Sequence, residues 1–100
     1  MPKLNKTAII NVVGLSKRII GPKTPFLKQW VEGKNLSYID PVLPAVTCSA
    51  QTTYLTGKWP SEHGIVANGW LFKEQQEIKL WTQSNKLVQS PSIWENAKAM

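Results

Sequence analysis

The first apolar block of the chain is almost continuous rather than alternating. Residues 7–13, TAIINVV, are rich in β-branched side chains, and Asn11 is the one polar side chain inside the run. This pattern predicts a strand covered on both faces, as in a parallel sheet. Gly14 ends the run, at the strand end where α/β folds place functional groups. Asn11 is therefore either a structural amide or a site residue, because a buried amide needs a hydrogen-bond partner.

A helical pattern follows this predicted strand. Thr24 suits the N-cap and Pro25 the first helical position, and apolar residues then recur at helical spacing. Gly33 suits a left-handed residue just after the helix. Residues 36–39 predict a second strand, which would complete the β–loop–α–β unit of a parallel sheet.

Turn formers and hydroxyls are concentrated in residues 41–70. Within them, residues 49–55 predict a short helix that ends at Gly57. The other predicted elements are two turns, two strands and a last helix: His63–Gly64, Asn68–Gly69, 70–72, 78–81, and a helix opened by Ser92 and Glu95 at capping-box spacing.

Thr47 stands just before the helix predicted over residues 49–55. At a helix start, free backbone N–H groups and the positive end of the dipole favour phosphate. A hydroxyl there could attack phosphorus if a metal lowered its pKa. The alternative is that Thr47 or Ser49 is only the N-cap. Two other residues also have two alternative roles. Cys48 is either a redox thiol or a small buried residue, and His63 is either a structural group or a ligand.

Composition narrows the possible functions. The net charge is +6, but the basic residues are scattered, which suits a solvated surface better than a nucleic-acid-binding stripe. The five tryptophans suit core and edge packing or, alternatively, a stacking platform. Cys48 is the single cysteine, so an intrachain disulfide and a Cys-based zinc site are excluded. The apolar run at residues 8–15 suits neither a secretory signal nor a membrane span, and we expect a cytoplasmic protein.

Three segments together resemble the alkaline phosphatase superfamily, and within it the type I phosphodiesterase/nucleotide pyrophosphatase family. They are AIINVVGL, TPFLKQWVEGK and PVLPAVTCSAQTTYLTGKWPSEHGIVANGW. The resemblance implies an α/β fold, an alkaline-phosphatase-like parallel-sheet sandwich of which only the first βαβ portion is present. It also implies that Thr47 is the nucleophile and a metal ligand, and that Asn68 hydrogen-bonds a non-bridging phosphate oxygen.

One position departs from the family pattern. The family has a metal-binding aspartate before the glycine that ends the first strand, and Val13 stands there in this chain. Asn11, two residues back on the same side of the strand, is the tentative substitute ligand. The resemblance implies two divalent metal ions, typically zinc, in the full-length protein, whose other ligands lie downstream. We therefore expect residues 1–100 to be the N-terminal part of a truncated catalytic domain, with no metal necessarily bound in the fragment.

The expected function is that of a metal-dependent phosphodiesterase or nucleotide pyrophosphatase-like hydrolase, inactive as the isolated fragment. Its expected partner is a phosphodiester or nucleotide-like small molecule, with no specific nucleic acid and no membrane. Two alternatives remain open. One is a non-catalytic family member that binds phosphorylated ligands, favoured by Val13; the other is a small basic nucleic-acid-binding module, supported by the tryptophans and the charge.

Overall fold

Helix α1 (Pro25–Glu32) is the regular element of the first part of the chain. The computed structural model describes residues 6–33, 35–81 and 84–100, which fall into two compact units, 1–38 and 39–100. Helix α1 has Thr24 as its N-cap, as predicted, but the Thr24 hydroxyl caps no first-turn amide. It instead accepts a hydrogen bond from the N–H of Gly21 at 2.9 Å. Gly33 ends the helix with φ −71°, so the predicted left-handed conformation is wrong.

The two strands predicted around α1 are not formed. Residues 7–13 and 36–39 are irregular, and no parallel pair exists among the described residues. Ile10 and Val13, which the sequence places on covered faces, expose 81% and 86% of their surfaces. The predicted βαβ unit is therefore wrong for the described structure. An apolar run favours burial, but a strand also needs a neighbour for its backbone N–H and C=O groups.

Helix α2 (Thr47–Thr56) confirms the helix predicted over residues 49–55 and begins two residues earlier. It ends at Gly57, whose φ of +67° is the left-handed conformation that glycine adopts without a Cβ penalty. A short helix α3 (Pro60–His63) follows. It closes on Gly64 at φ +82°, which confirms the predicted His63–Gly64 turn.

A two-stranded antiparallel sheet comes next. Strands β1 (Gly69–Phe72) and β2 (Glu77–Leu80) confirm the two predicted short strands, and Gly69 lies opposite Leu80. The hairpin turn is formed by residues 73–76. Asn68 and Gly69 thus lead into β1 rather than forming a hairpin turn of their own.

The chain ends in a 3-10 helix (Asn85–Leu87) and helix α4 (Ile93–Ala99). The N–H of Ser92 donates to Glu95 Oε2 at 2.6 Å, which confirms the predicted capping interaction. Few of the described side chains of the second unit are buried, and half of these are polar: Val42, Ser49, Pro60, His63, Ile65 and Ser92. The described residues thus combine helices with one small antiparallel sheet, and the core of the second unit lies where α2 packs against α3.

Candidate functional site

The first residue of α2 is an exposed threonine. The N-cap is Val46, in an extended conformation, and it has no side-chain oxygen that could cap the helix. Thr47 is therefore the first helical residue, and its side chain is exposed. Ser49 is fully buried, and its Oγ has no hydrogen-bond partner in the described part of the chain. The alternative in which Thr47 or Ser49 serves only as the N-cap is wrong.

The start of α2 keeps two backbone donors free. A helix leaves its first four N–H groups without intrahelical partners. Here the N–H of Val46 bonds to the preceding loop, and that of Cys48 donates to Asn68 Oδ1 at 2.9 Å. The N–H groups of Thr47 and Ser49 make no hydrogen bond within residues 6–33, 35–81 and 84–100. Ser49 is fully buried, so of these two N–H groups that of the exposed Thr47 is the one open to a ligand. Since the first turn also has no acidic residue, this helix end suits an anion.

Asn68 reaches this helix end across 20 residues of sequence. Because its Oδ1 accepts the Cys48 N–H, the orientation of the carboxamide is fixed, and its Nδ2 carries two donor hydrogens. That nitrogen has no hydrogen bond to the rest of the described chain. The backbone oxygen of Asn68 accepts from the N–H of Trp81 at 2.8 Å, which holds the residue from the hairpin side. The structure therefore brings two predicted site residues, Thr47 and Asn68, to the same end of α2.

The Asn68 cap is a feature that sequence reasoning missed. Capping residues are normally recognised immediately before the helix, and Val46 gives no such signal. No short-range pattern links two residues 20 positions apart. The only available signal was that the family resemblance assigned Thr47 and Asn68 to one phosphate site.

His63 is buried within the second unit, with 0% of its surface exposed. Its Nδ1 accepts from the N–H of Ile65 at 3.0 Å, and its Nε2 lies 2.9 Å from Thr53 Oγ1. Burial lowers the pKa of His63 below its ordinary value because it disfavours the charged imidazolium. The Glu62 carboxylate and backbone hydrogen bonds of His63 and Ser49 oppose this shift more weakly. Both nitrogens are engaged, so the structural interpretation of His63 is confirmed.

A metal site is not evident among the described residues. The described residues contain no group of three His, Cys, Asp or Glu side chains that could hold a metal ion. Thr47 and Asn11 offer only neutral oxygen and amide donors, whereas divalent cations are usually held by carboxylates, imidazoles or thiolates. Asn11 belongs to the first unit and is exposed, so the argument that burial forces it to find a partner fails. The donors present do not by themselves fit a divalent cation.

Two further predictions concern side chains that the site does not use. Four tryptophans expose about half of their surfaces, which excludes full burial in a core but is compatible with the packing at an edge that was also predicted: Trp30 58%, Trp59 59%, Trp81 51% and Trp94 49%. Cys48 is a free, half-buried thiol.

The segment with this geometry is part of a longer match to a known family. The model of the family described as type I phosphodiesterase / nucleotide pyrophosphatase matches residues 7–100. The chain belongs to the type I phosphodiesterase/nucleotide pyrophosphatase family. Neither among the curated proteins nor among the solved structures is there a significant match to it. Membership of this phosphodiesterase family points to a hydrolase of phosphodiester or pyrophosphate bonds.

No helix of this phosphodiesterase-family chain, within the residues that the structure describes, is long and apolar enough to cross a membrane. The cytoplasmic location stays a prediction.

Proposed function

We propose that the chain is the N-terminal part of a metal-dependent hydrolase of phosphodiesters or phosphoanhydrides, with Thr47 as its nucleophile. Asn68 binds a non-bridging oxygen of the phosphoryl group in this proposal. The observation that carries it is the 2.9 Å hydrogen bond from the Cys48 N–H to Asn68 Oδ1. Through this bond the candidate phosphate-binding amide is fixed beside the residue that follows the candidate nucleophile.

The donors at the start of α2 support binding of a phosphoryl group. The free N–H of the exposed Thr47 and the Nδ2 of Asn68 are both hydrogen-bond donors, and no acidic side chain of the first turn opposes an anion. A phosphate group supplies the acceptor oxygens that such a set requires. Fixed donors of this kind stabilise negative charge without having to reorganise during the reaction.

In the proposed reaction, Thr47 Oγ1 loses its proton to solvent and forms a bond to phosphorus, while the bond from phosphorus to the leaving oxygen breaks and that oxygen takes up a proton from solvent. Water then forms a bond to phosphorus, the Thr47–phosphorus bond breaks, and Oγ1 regains a proton as the product is released. His63 is not the base for the Thr47 hydroxyl, since its nitrogens bond to Ile65 and Thr53. Metal ions, when bound, would supply charge stabilisation and a lowered hydroxyl pKa.

The metal ions of this proposal need ligands beyond Thr47 and Asn11. The described residues contain no group of three His, Cys, Asp or Glu side chains that could hold a metal ion. In this proposal the carboxylate and histidine ligands that the family resemblance implies belong to sequence downstream of Met100. The exposed apolar side chains of the first unit, such as Ile10 and Val13, support the same view, because further chain could cover them. On this basis the 100-residue chain alone should not turn over substrate.

The test is an assay of the full-length protein for hydrolysis of bis(p-nitrophenyl) phosphate in the presence of zinc or manganese. Thr47→Val should abolish turnover, whereas Thr56→Val, the same change later in α2, should retain it. Because Thr47 is exposed, its replacement should change the free energy of unfolding by less than about 0.5 kcal/mol. Turnover that survives Thr47→Val would rule out the threonine nucleophile.

A second candidate function is binding of phosphorylated ligands without catalysis. Val13, at the position where the family has a metal-binding aspartate, favours this function. It predicts that inorganic phosphate binds the chain whether or not a chelator is present, and that Thr47→Val leaves its affinity within about twofold. Hydrolysis that zinc restores after chelation would exclude this candidate.

A further inference from the structure

The buried imidazole of His63 has a defined protonation state. Its Nδ1 accepts a hydrogen bond from the N–H of Ile65, so that nitrogen carries no proton. A neutral imidazole must then carry its proton on Nε2, which donates to Thr53 Oγ1 at 2.9 Å. His63 therefore connects helix α2, through Thr53, to the backbone of the segment that follows α3.

That segment returns to the same helix three residues after Ile65. Asn68 accepts the N–H of Cys48, so the chain between residues 63 and 68 is joined to α2 at two points. The two points on the helix, Cys48 and Thr53, are five residues apart, which is about 7.5 Å along its axis. Ile65 lies between the two attachments and is one of the few buried apolar residues. A short segment held at both ends has little freedom to move one end alone.

We propose that His63 is a positioning residue for the phosphate site: by holding residues 65–68 against α2, it sets where the Asn68 carboxamide meets the Cys48 amide. The catalytic part of this inference rests on the proposed function. The positional part concerns one hydrogen bond and can be measured without turnover. His63 acts through Asn68 and does not itself touch the substrate.

The test removes the side-chain part of this connection, at Thr53 rather than at His63, so that the buried imidazole and its contact with the Ser49 backbone stay in place. Thr53→Val removes the hydroxyl that His63 contacts and preserves the shape of the side chain. Thr53→Ser keeps the hydroxyl and is the rescue variant. Thr56→Val is the matched control, because its hydroxyl donates to the backbone oxygen of Thr52 at 2.7 Å and not to His63.

Two measurements are made on each variant of the protein as its gene encodes it. Hydrogen exchange of the Cys48 amide, followed by NMR, should become about tenfold faster in Thr53→Val and stay near the wild-type rate in the other two. For bis(p-nitrophenyl) phosphate with zinc, kcat should fall about tenfold or more in Thr53→Val, with KM changed less than about twofold.

The outcomes separate the two claims. Equal Cys48 exchange in Thr53→Val and Thr56→Val overturns the positioning role, whatever the hydrolysis assay gives. Faster exchange with an unchanged kcat overturns its catalytic consequence. Faster exchange in a protein whose wild type shows no hydrolysis supports the positioning of Asn68 and rejects the proposed function instead.

Discussion

Asn68 has two tasks at the start of α2, and single substitutions can separate them. Its Oδ1 accepts the Cys48 N–H, and its Nδ2 is the proposed donor to a phosphate oxygen. Asn68→Asp keeps an acceptor for the Cys48 N–H but removes the donor and adds a negative charge. Asn68→Ala removes both groups. We therefore expect the two variants to differ in stability but to share the loss of phosphate binding.

The expected size of the stability effect follows from the cap. Removing a capping side chain costs typically about 1 kcal/mol, within a range of roughly 0.5–2 kcal/mol. The half-buried setting of Asn68 and the lack of another partner for the Cys48 N–H favour the middle of this range. For a chain of this size, about 1 kcal/mol corresponds to a fall in Tm of roughly 4–8 °C. Asn68→Asp should stay within about 0.5 kcal/mol of the wild type, since a carboxylate near a helix N-terminus is favourable.

The assay pairs urea unfolding with hydrogen exchange of the Cys48 amide and with titration of inorganic phosphate. Asn68→Ala should show faster Cys48 exchange and lower stability, while Asn68→Asp should show neither. Both should bind phosphate more weakly than the wild type. If Asn68→Ala is as stable as Asn68→Asp and protects Cys48 equally, the capping contact does not exist in solution, and the site built on it would be refuted.

Three further predictions concern buried or strained positions of the second unit. Ser49→Ala should leave stability unchanged or raise it by up to about 1 kcal/mol in urea unfolding, because it removes a buried hydroxyl without a partner; a loss above 1 kcal/mol would show that the hydroxyl is satisfied. Above pH 6.5, the ordinary pKa of histidine, His63 should not affect how the free energy of unfolding depends on pH. Below pH 6.5 this free energy should fall, because the folded state disfavours the protonated imidazole. In His63→Gln the part of the fall that His63 causes should be absent. Gly64→Ala should lower the free energy of unfolding by about 1–2 kcal/mol, since φ is +82° and the new Cβ would lie 3.1 Å from the Gln89 side chain. An unchanged Tm in thermal unfolding would contradict the left-handed conformation.

Sequence reasoning was most successful where the determining residues are close together in the chain. Pro25 starts α1, Gly57 ends α2, and the Ser92–Glu95 spacing opens α4, because each feature depends on hydrogen bonds and backbone angles within one helical turn. It failed for residues 7–13. Their apolar character expresses a preference for burial, but a strand also requires a partner strand that the described chain does not provide.

The part of the candidate site that depends on residues close together in the chain was predictable, and the rest was not. Thr47 at a helix start follows from local pattern, and the family resemblance joined it to Asn68. The hydrogen bond that unites them depends on the fold between residues 48 and 68, which no local pattern specifies. For His63 a structural role was one of two alternatives from sequence, and its contact with Thr53 depends on the packing of α3 against α2.

The donors at the start of α2 and the metal ions of the proposed function would have different chemical roles. Each donor open to a ligand at the start of α2 is uncharged: the backbone N–H of Thr47 and the carboxamide of Asn68. Such donors orient a phosphate and favour the charge that develops on its oxygens, but they do not neutralise the charge of a bound anion or activate a threonine hydroxyl. Cations are the usual source of both effects in phosphoryl transfer. Neutral donors beside an exposed hydroxyl can therefore position a phosphate, and in the proposed function hydrolysis depends on cations held by ligands outside this set of donors.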